Sequence, residues 1–273
     1  MGHESDRRFV KVEKGLGPQG RIAIVRFDRG DNVNAFSQQA MRELRDVTRD
    51  FEDDLETSVV ILTGSARAFS AGFDLKDPEG QARQAASIGE RVHRQRLGPK
   101  MSRAWEEMEP VTIAAIEGHC IGGGAALAVS LDFRFCGRSA HFRIPEVELG
   151  MNMSWGSLPR MIALMGPART KQAVILASDR ISSADAQDWG LVEKVVDDGQ
   201  ALAAAMAFAE RIAAQPPLPV RMTKTTINRF TTALHALGSH MDAEQNVLTG
   251  LTEDYREGTS AFREKRKPVF RGR

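Results

Sequence analysis

Two short glycine-bearing turns are the residues of this sequence whose type and position best suit chemistry by the backbone. They are Ser70-Ala71-Gly72-Phe73-Asp74-Leu75 and Gly122-Gly123-Gly124. Each follows a predicted strand and precedes a predicted helix, so each could present N–H groups that have no intrahelical acceptor. Two such groups that converge on one oxygen form an oxyanion hole. Either turn alone is equally consistent with an ordinary loop.

Motifs for several other chemistries are missing. Gly-x-Ser-x-Gly, Gly-x-Gly-x-x-Gly and the phosphate-binding Gly-x-x-x-x-Gly-Lys-Ser/Thr pattern are all absent from the sequence. None of the six histidines is spaced to pair with a nucleophilic serine or cysteine. Cys120 and Cys136 lie in apolar surroundings without metal-ligand spacing, so we expect buried free thiols and no metal site.

Composition excludes some partners. The chain has 273 residues, 37 basic and 36 acidic, for a net charge of +1, which gives no electrostatic reason for a nucleic-acid or membrane partner. Its N-terminal residues, MGHESDRR, lack the apolar core of a signal peptide, and no window approaches the roughly 20 apolar residues of a membrane span. We therefore expect a cytoplasmic protein with one main domain and an appendage.

Short β-rich runs alternate with helical patterns along the first 200 residues. Strands are predicted at residues 21–28, 58–63, 111–116, 133–136, 142–144 and 191–196. Helices are predicted after a Ser37 cap and at residues 125–131, 158–165, 167–177, 182–189 and 199–214, with further helices in the tail. The pattern indicates an α/β fold with a domain boundary near residue 200, and the apolar last run suggests a buried subunit contact.

Several motifs in one order resemble the enoyl-CoA hydratase/isomerase family, also called the crotonase superfamily. They cover most of the chain, and their combination is far more specific than any one of them. The matching segments are Asn34-Ala35-Phe36-Ser37, LTGSARAFSAGFDLKD (62–77), AIEGHCIGGGAALAVSLDFR (115–134), FRIPEVELGM (142–151), ISSADAQDWGLVEKVV (181–196) and TEDYREGTSAFREKRKPVF (252–270).

The resemblance implies roles for three residues. The backbone N–H groups of Phe73 and Gly123 would hold a thioester oxygen, and Glu146, which follows a proline, would move a proton. Family members that hydrate a double bond carry a second glutamate, but the aligned position here is Ala126. Ser154 stands where dienoyl isomerases and dehalogenases of the family keep an aspartate.

A single carboxylate favours one reaction among those of the family. Moving a double bond needs one base, whereas hydration needs a water activated on one side and a proton delivered on the other. The resemblance therefore implies a 3-enoyl-CoA to 2-enoyl-CoA isomerase with Glu146 as the base. The alternatives are an enoyl-CoA hydratase of altered mechanism or unusual substrate, and a non-catalytic acyl-CoA-binding protein.

The resemblance also implies how coenzyme A is bound and how the chain assembles. The positions that correspond to the family's CoA contacts are Ala71, Lys76, Phe262 and Lys265, the last two reaching the CoA of a neighbouring subunit. CoA would be part of the substrate, with no prosthetic group. The implied fold is a spiral of repeated ββα units over residues 1–200, followed by a helical region, 201–273, that forms a homotrimer or a dimer of trimers.

Overall fold

Two sheets, composed mainly of parallel strands, form the core of the chain up to residue 196. The computed structural model describes residues 7–81, 86–177 and 179–273. In chain order the strands of this part are β1 Val10–Leu16, β2 Ile22–Phe27, β3 Val59–Thr63, β4 Ala68–Ser70, β5 Val111–Ile116, β6 His119–Ile121, β7 Phe133–Gly137, β8 His141–Arg143, β9 Ile181–Ser182 and β10 Lys194–Val196.

The larger sheet has the strand order β1-β2-β3-β5-β7-β10. β1 pairs with β2 in antiparallel fashion, and the other neighbours are parallel. Every residue of β3 and of β5 is buried, which explains why both strands are unbroken apolar runs in the sequence. The predicted strands at 21–28, 58–63, 111–116 and 133–136 are confirmed.

The smaller sheet, β4-β6-β8-β9, consists of strands of two or three residues. Its first three strands run parallel, and β4 and β6 were not predicted because so short a run has no readable alternation. These two strands lead directly into the two glycine turns. The prediction of a strand at 191–196 was too long, because the N–H groups of Leu191 and Val192 donate instead to the Ala186 carbonyl.

Helices connect the strands, and the part of the chain after β10 is helical. The described part contains α1 Gln38–Asp46, α2 Pro78–Gln81, α3 Ile88–Gln95, α4 Leu97–Glu106, α5 Gly123–Ala128, α6 Ser157–Ile175, α7 Ser183–Asp188, α8 Ala201–Ala213, α9 Pro217–Thr231, α10 His235–Ser239, α11 Asp242–Thr249 and α12 Glu253–Glu264. None of these helices is long and apolar enough to cross a membrane.

Most of the helices predicted from the sequence are present in the structure. Ser37 caps α1 through a 3.1 Å hydrogen bond from the Ala40 N–H. The predicted helices 158–165 and 167–177 form the two halves of α6, which is kinked at Gly166 (φ 74°) before Pro167. α5 begins at Gly123, two residues earlier than predicted, because the glycine triplet itself supplies the first turn of the helix.

The alanine-rich helix α8 packs on the larger sheet of its own chain. Its buried residues recur every fourth position, so they form one face of the helix. They are Ala201, Ala205, Ala209 and Ala213, and they share a core with Ile22, Ile61 and Ile113. The buried face predicted to be a subunit contact is therefore an internal one, and alanine there allows the helix to approach the sheet closely.

Candidate active site

The turn after β4 is held so that the Phe73 amide is free to meet a ligand. The Phe36 N–H donates to the Gly72 carbonyl (2.7 Å), and the Asp74 N–H donates to the Phe36 carbonyl (2.9 Å). Because successive peptide groups of an extended segment point in opposite directions, the N–H of Phe73 points away from Phe36. It donates to no backbone carbonyl among the loop contacts of the described residues.

The loop before Phe36 is fixed by Asn34, which is fully buried and has a positive φ of 52°. Its side-chain amide donates to the carbonyl of Phe27 (2.9 Å), at the end of β2, and to that of Phe69 (3.1 Å), in the middle of β4. The Arg29 N–H donates to its Oδ1 (3.0 Å). The Asn-Ala-Phe motif of the sequence thus joins two sheets and orients the turn that carries Phe73.

The second turn places Gly123 at the N-terminus of α5, where the amides have no intrahelical acceptor. The preceding residue is anchored by a 2.8 Å hydrogen bond from the Gly122 N–H to the Arg143 carbonyl. The two turns touch at Gly72, which has a φ of 84°. A Cβ on Gly72 would lie 2.6 Å from the Ile121 carbonyl oxygen and 3.1 Å from the Gly123 nitrogen, so only glycine permits this approach.

The Glu146 carboxylate lies beside the second turn. Glu146 follows β8 and Pro145 and precedes a 3-10 turn at Val147–Leu149. A Cβ on Gly122 would lie 2.8 Å from its Oε1. The structure therefore brings together the three residues predicted to do the chemistry, Phe73, Gly123 and Glu146.

Glu146 has the electrostatic environment of a base. The residue as a whole is half-buried, but its Oε2 is buried and has no hydrogen-bond partner among the described residues. Burial raises the pKa of this carboxyl to about 7, partly offset by a hydrogen bond from its own backbone and by the charge of Arg143. A carboxylate with a pKa near neutrality can accept and return a proton under ordinary conditions.

Other acidic residues near the two glycine turns form hydrogen bonds or ion pairs with other groups of the protein. Glu148 forms an ion pair with Arg143, which also donates to the Ala177 carbonyl (3.0 Å). Glu117 accepts the Ala201 N–H (3.0 Å) at the start of α8, on the side of the larger sheet away from the glycine turns. Ala126 is completely buried within α5. Asp74, within the first turn, forms an ion pair with Arg29 (2.7 Å). Among the described residues, Glu146 is therefore the carboxylate at the paired turns that keeps a buried oxygen without a partner.

Of the four positions that correspond to CoA contacts, two lie next to the first glycine turn and two lie at the C-terminal end of α12. The Ala71 N–H donates to the Val33 carbonyl (2.9 Å), which fixes the residue before Gly72. Lys76 is exposed three residues after Phe73. Phe262, on α12, is 54% exposed, and Lys265 ends that helix with a φ of 55°. The first two flank the site, whereas no described contact joins the last two to it.

α12 nevertheless reaches the site from another direction. It packs on the 3-10 turn that follows Glu146 in the same chain. A Cβ on Gly258 would lie 2.7 Å from the carbonyl carbon of Leu149, and one on Gly150 would lie 2.7 Å from the Asp254 carbonyl oxygen. Small residues on both elements therefore allow the C-terminal helix to pack against the turn that follows Glu146.

Comparisons with known sequences identify the family of this chain. The family model for enoyl-CoA hydratase/isomerase matches residues 17–273. A crotonyl-CoA hydratase of Syntrophomonas wolfei is 33% identical over 257 residues, which is 93% of this chain and 96% of that protein. A short-chain-enoyl-CoA hydratase of Clostridium acetobutylicum is 32% identical, over 92% of this chain and 95% of that protein.

A solved structure supports the same relationship. The enoyl-CoA hydratase of Bacillus anthracis is 30% identical and superimposes with a TM-score of 0.75, covering 97% of this chain and all of that one. The α/β fold with C-terminal helices that the resemblance implied is thereby confirmed. With its two glycine turns, its proline-glutamate step and these relatives, the chain belongs to the enoyl-CoA hydratase/isomerase family.

Proposed function

We propose that the protein isomerises a 3-enoyl-CoA to a 2-enoyl-CoA with Glu146 as its single acid/base. The carboxylate takes a proton from C2, and the electron pair of that C–H bond moves onto the thioester carbonyl to form a dienolate. The Phe73 and Gly123 amides stabilise the oxygen charge, and losing one such donor typically raises a barrier by about 3 kcal/mol. Glu146 then returns the proton to C4, which leaves the double bond between C2 and C3.

The observation that carries this proposal is Glu146 with a buried, unpartnered Oε2 beside a helix that has Ala126 where a second acid would stand. A methyl group cannot deliver or receive a proton. Glu148 and Glu117, which lie in the same two motifs as Glu146 and Ala126, have other partners. One base that is free to move a proton between two carbons of the same substrate satisfies every requirement of isomerisation.

Enoyl-CoA hydration is the second candidate, and the names of the relatives favour it. Proteins 32–33% identical to this chain are named hydratases. In that case Glu146 would activate the water, and the proton for C2 would come from the same carboxyl or from solvent. A non-catalytic acyl-CoA-binding protein is the third candidate.

One pair of assays separates these candidates. Purified protein is given 3-hexenoyl-CoA and, separately, crotonyl-CoA, and the products are identified by mass spectrometry. We expect isomerisation of the first substrate and slow hydration of the second, with Ala126→Glu increasing hydration. Fast hydration by the wild type that Ala126→Glu does not change would contradict the proposal. Absence of turnover with either substrate would support the binding protein.

The same proposal includes the residues that bind CoA and the assembly of the subunits. Lys76 near the first turn, with Phe262 and Lys265 from a neighbouring subunit, would contact the CoA moiety. A homotrimer would cover the exposed apolar residues of α9, α10 and the turn between them, which include Phe230 (86% exposed), Leu234 (71%) and Leu237 (73%). A cavity of about 930 Å³ between α8, α9 and the core, lined by Phe208, Ile212 and Ile227, would receive part of that contact.

A further inference from the structure

Trp155 lies across the Gly123 end of the site and is held there between two glycines. A Cβ on Gly123 would lie 2.6 Å from its Cη2 and 2.8 Å from its Cζ3. On the opposite edge of the indole, a Cβ on Gly98 of α4 would overlap Cε2. The residue is only 7% exposed. The indole therefore fills the space between α4 and the first turn of α5, with no room for a side chain on either.

The backbone of Trp155 is also strongly constrained. Its φ is 65°, a conformation that bulky residues rarely adopt and that persists only where surrounding contacts enforce it. The Trp155 carbonyl accepts a 2.9 Å hydrogen bond from Arg160, whose guanidinium is bound by Glu106 through two hydrogen bonds of 2.7 and 2.8 Å. The next residue, Gly156, donates its N–H to Asp242 (2.6 Å). These contacts tie Trp155 to α4, α6 and α11.

Phe36 connects this tryptophan to the other turn. Its ring centroid lies 6.1 Å from that of Trp155, and its Cδ2 would lie 3.4 Å from a Cβ on Gly123. The backbone of the same residue forms the two hydrogen bonds on either side of Phe73. One aromatic pair thus contacts both turns that carry the oxyanion donors.

We propose that Trp155, through Phe36, is a positioning residue that fixes the Gly123 amide relative to the Phe73 amide. The inference rests on the proposed role of those two amides in holding a thioester oxygen. Oxyanion donors act because they are already oriented before the charge develops, so a small displacement of one of them weakens stabilisation of the enolate. Trp155 would act on the enolate indirectly, through its contacts with Gly123 and with Phe36.

Kinetics of Trp155 variants test this role. The hydrogen bond from the Gly123 amide to the enolate oxygen is strongest in the transition state. If Trp155 positions that amide, Trp155→Ala should lower kcat and kcat/KM together, by about 10- to 100-fold. Trp155→Phe keeps an aromatic face on Gly123, and we expect it to retain kcat within about threefold. Trp105→Phe is the matched control, since Trp105 is fully buried and would lose its hydrogen bond to the Leu44 carbonyl (2.7 Å). It should lower the melting temperature and leave kcat unchanged.

A second variant reaches Trp155 from the opposite side. Gly98→Ala adds a methyl group that overlaps the indole, while alanine is itself favourable within α4. We expect it to lower kcat by pushing the ring towards Gly123. The double variant Gly98→Ala/Trp155→Phe should regain activity, because the smaller ring leaves room for the methyl group. Equal activity of Gly98→Ala and the wild type would contradict the proposal.

Infrared spectroscopy reads the hydrogen bonds directly. Butyryl-CoA labelled with ¹³C at the thioester carbonyl is bound to each variant, and the shift of the carbonyl stretch to lower frequency is measured. We expect a clear shift in the wild type and in Glu146→Gln, and a smaller one in Trp155→Ala. A full shift in Trp155→Ala would overturn the role of Trp155 alone. No shift in the wild type would overturn the oxyanion hole itself.

Discussion

The Glu146 carboxylate lies against Gly122, the residue directly before the Gly123 amide. A methyl group on Gly122 would be 2.8 Å from Oε1, so the carboxylate occupies the space that a side chain there would need. The proposed base and one proposed oxyanion donor therefore meet at the same turn. Any change in that turn should alter proton transfer and enolate stabilisation together.

Removing the Glu146 carboxylate should abolish most of the chemistry. We expect Glu146→Gln to lower kcat about 10²- to 10⁴-fold, the usual contribution of a general acid/base, with little change in the dissociation constant for a saturated acyl-CoA. Steady-state kinetics and calorimetric titration measure the two quantities. Glu117→Gln is the control, because Glu117 binds the N-terminus of α8. A loss in Glu117→Gln as large as in Glu146→Gln would place Glu117 in the reaction.

Activity should follow the titration of Glu146. Because the base must be ionised and its pKa is raised to about 7, kcat/KM should rise with pH, reach half of its maximum near that value and then level off. The measurement is a pH series of kcat/KM with 3-hexenoyl-CoA. A midpoint close to 4.5, the ordinary value for a glutamate, would mean that the carboxyl is not desolvated in the free enzyme.

The same titration should affect stability. A carboxyl whose pKa is higher in the folded than in the unfolded chain binds more protons when folded, so the free energy of unfolding falls as pH rises from 4.5 to about 7. Glu146→Gln lacks this penalty. We expect the variant to gain about 3 kcal/mol relative to the wild type at pH 8, compared with pH 4.5. Urea unfolding at both values measures it, and a difference independent of pH would contradict the raised pKa.

The sequence predicts the long buried strands and the residues of the two turns better than it predicts the short strands that position them. The strands that are buried on both faces, such as β3 and β5, are apolar runs and are easily recognised. The strands β4 and β6, which precede the glycine turns, have three residues each and no readable period. The family motifs pointed to Phe73, Gly123 and Glu146, and the structure brings these three residues together, while their chemical roles stay predictions.

Residues that act through packing leave no such motif. Trp155 occurs in an irregular segment with a positive φ, and nothing local indicates that it contacts Gly98 and Gly123, which lie far from it in the chain. The burial of α8 was foreseen from its composition, but its partner was not. An apolar helical face predicts that something covers it, whereas the identity of the covering surface depends on tertiary structure.

Glycine substitutions should separate backbone strain from steric overlap at the site. Gly72 and Gly199 have φ values of 84° and 80°, but a Cβ on Gly199 meets nothing within 4 Å. Both alanine variants therefore carry similar backbone strain, typically about 1 kcal/mol or more. We expect Gly72→Ala to lose activity at least about 100-fold because the oxyanion turns must separate, and Gly199→Ala to stay fully active. Activity and urea unfolding are measured for both, and an active Gly72→Ala would contradict the close approach of the turns.

The exposed apolar residues of α9 and α10 should be covered in solution. We expect the wild type to sediment with three times, or six times, the chain mass of 30.0 kDa. Phe230→Lys should shift it towards the monomer, because a charge cannot be buried at an apolar contact without a partner. Ile175→Lys is the control, since Ile175 is 62% exposed at the last residue of α6, whereas α10 meets that helix at Pro159, near its other end. Analytical ultracentrifugation measures the mass of each variant in solution, and a monomeric wild type would exclude the trimer.

Deuterium labelling tests the single-base mechanism most directly. 3-Hexenoyl-CoA is incubated with the enzyme in deuterated water, and the product mass and the position of each label are determined by mass spectrometry and NMR. One carboxyl that carries a proton from C2 to C4 should give 2-hexenoyl-CoA with at most one deuterium, at C4, and without the mass of water. A product whose main species has gained a hydroxyl group at C3 would contradict it.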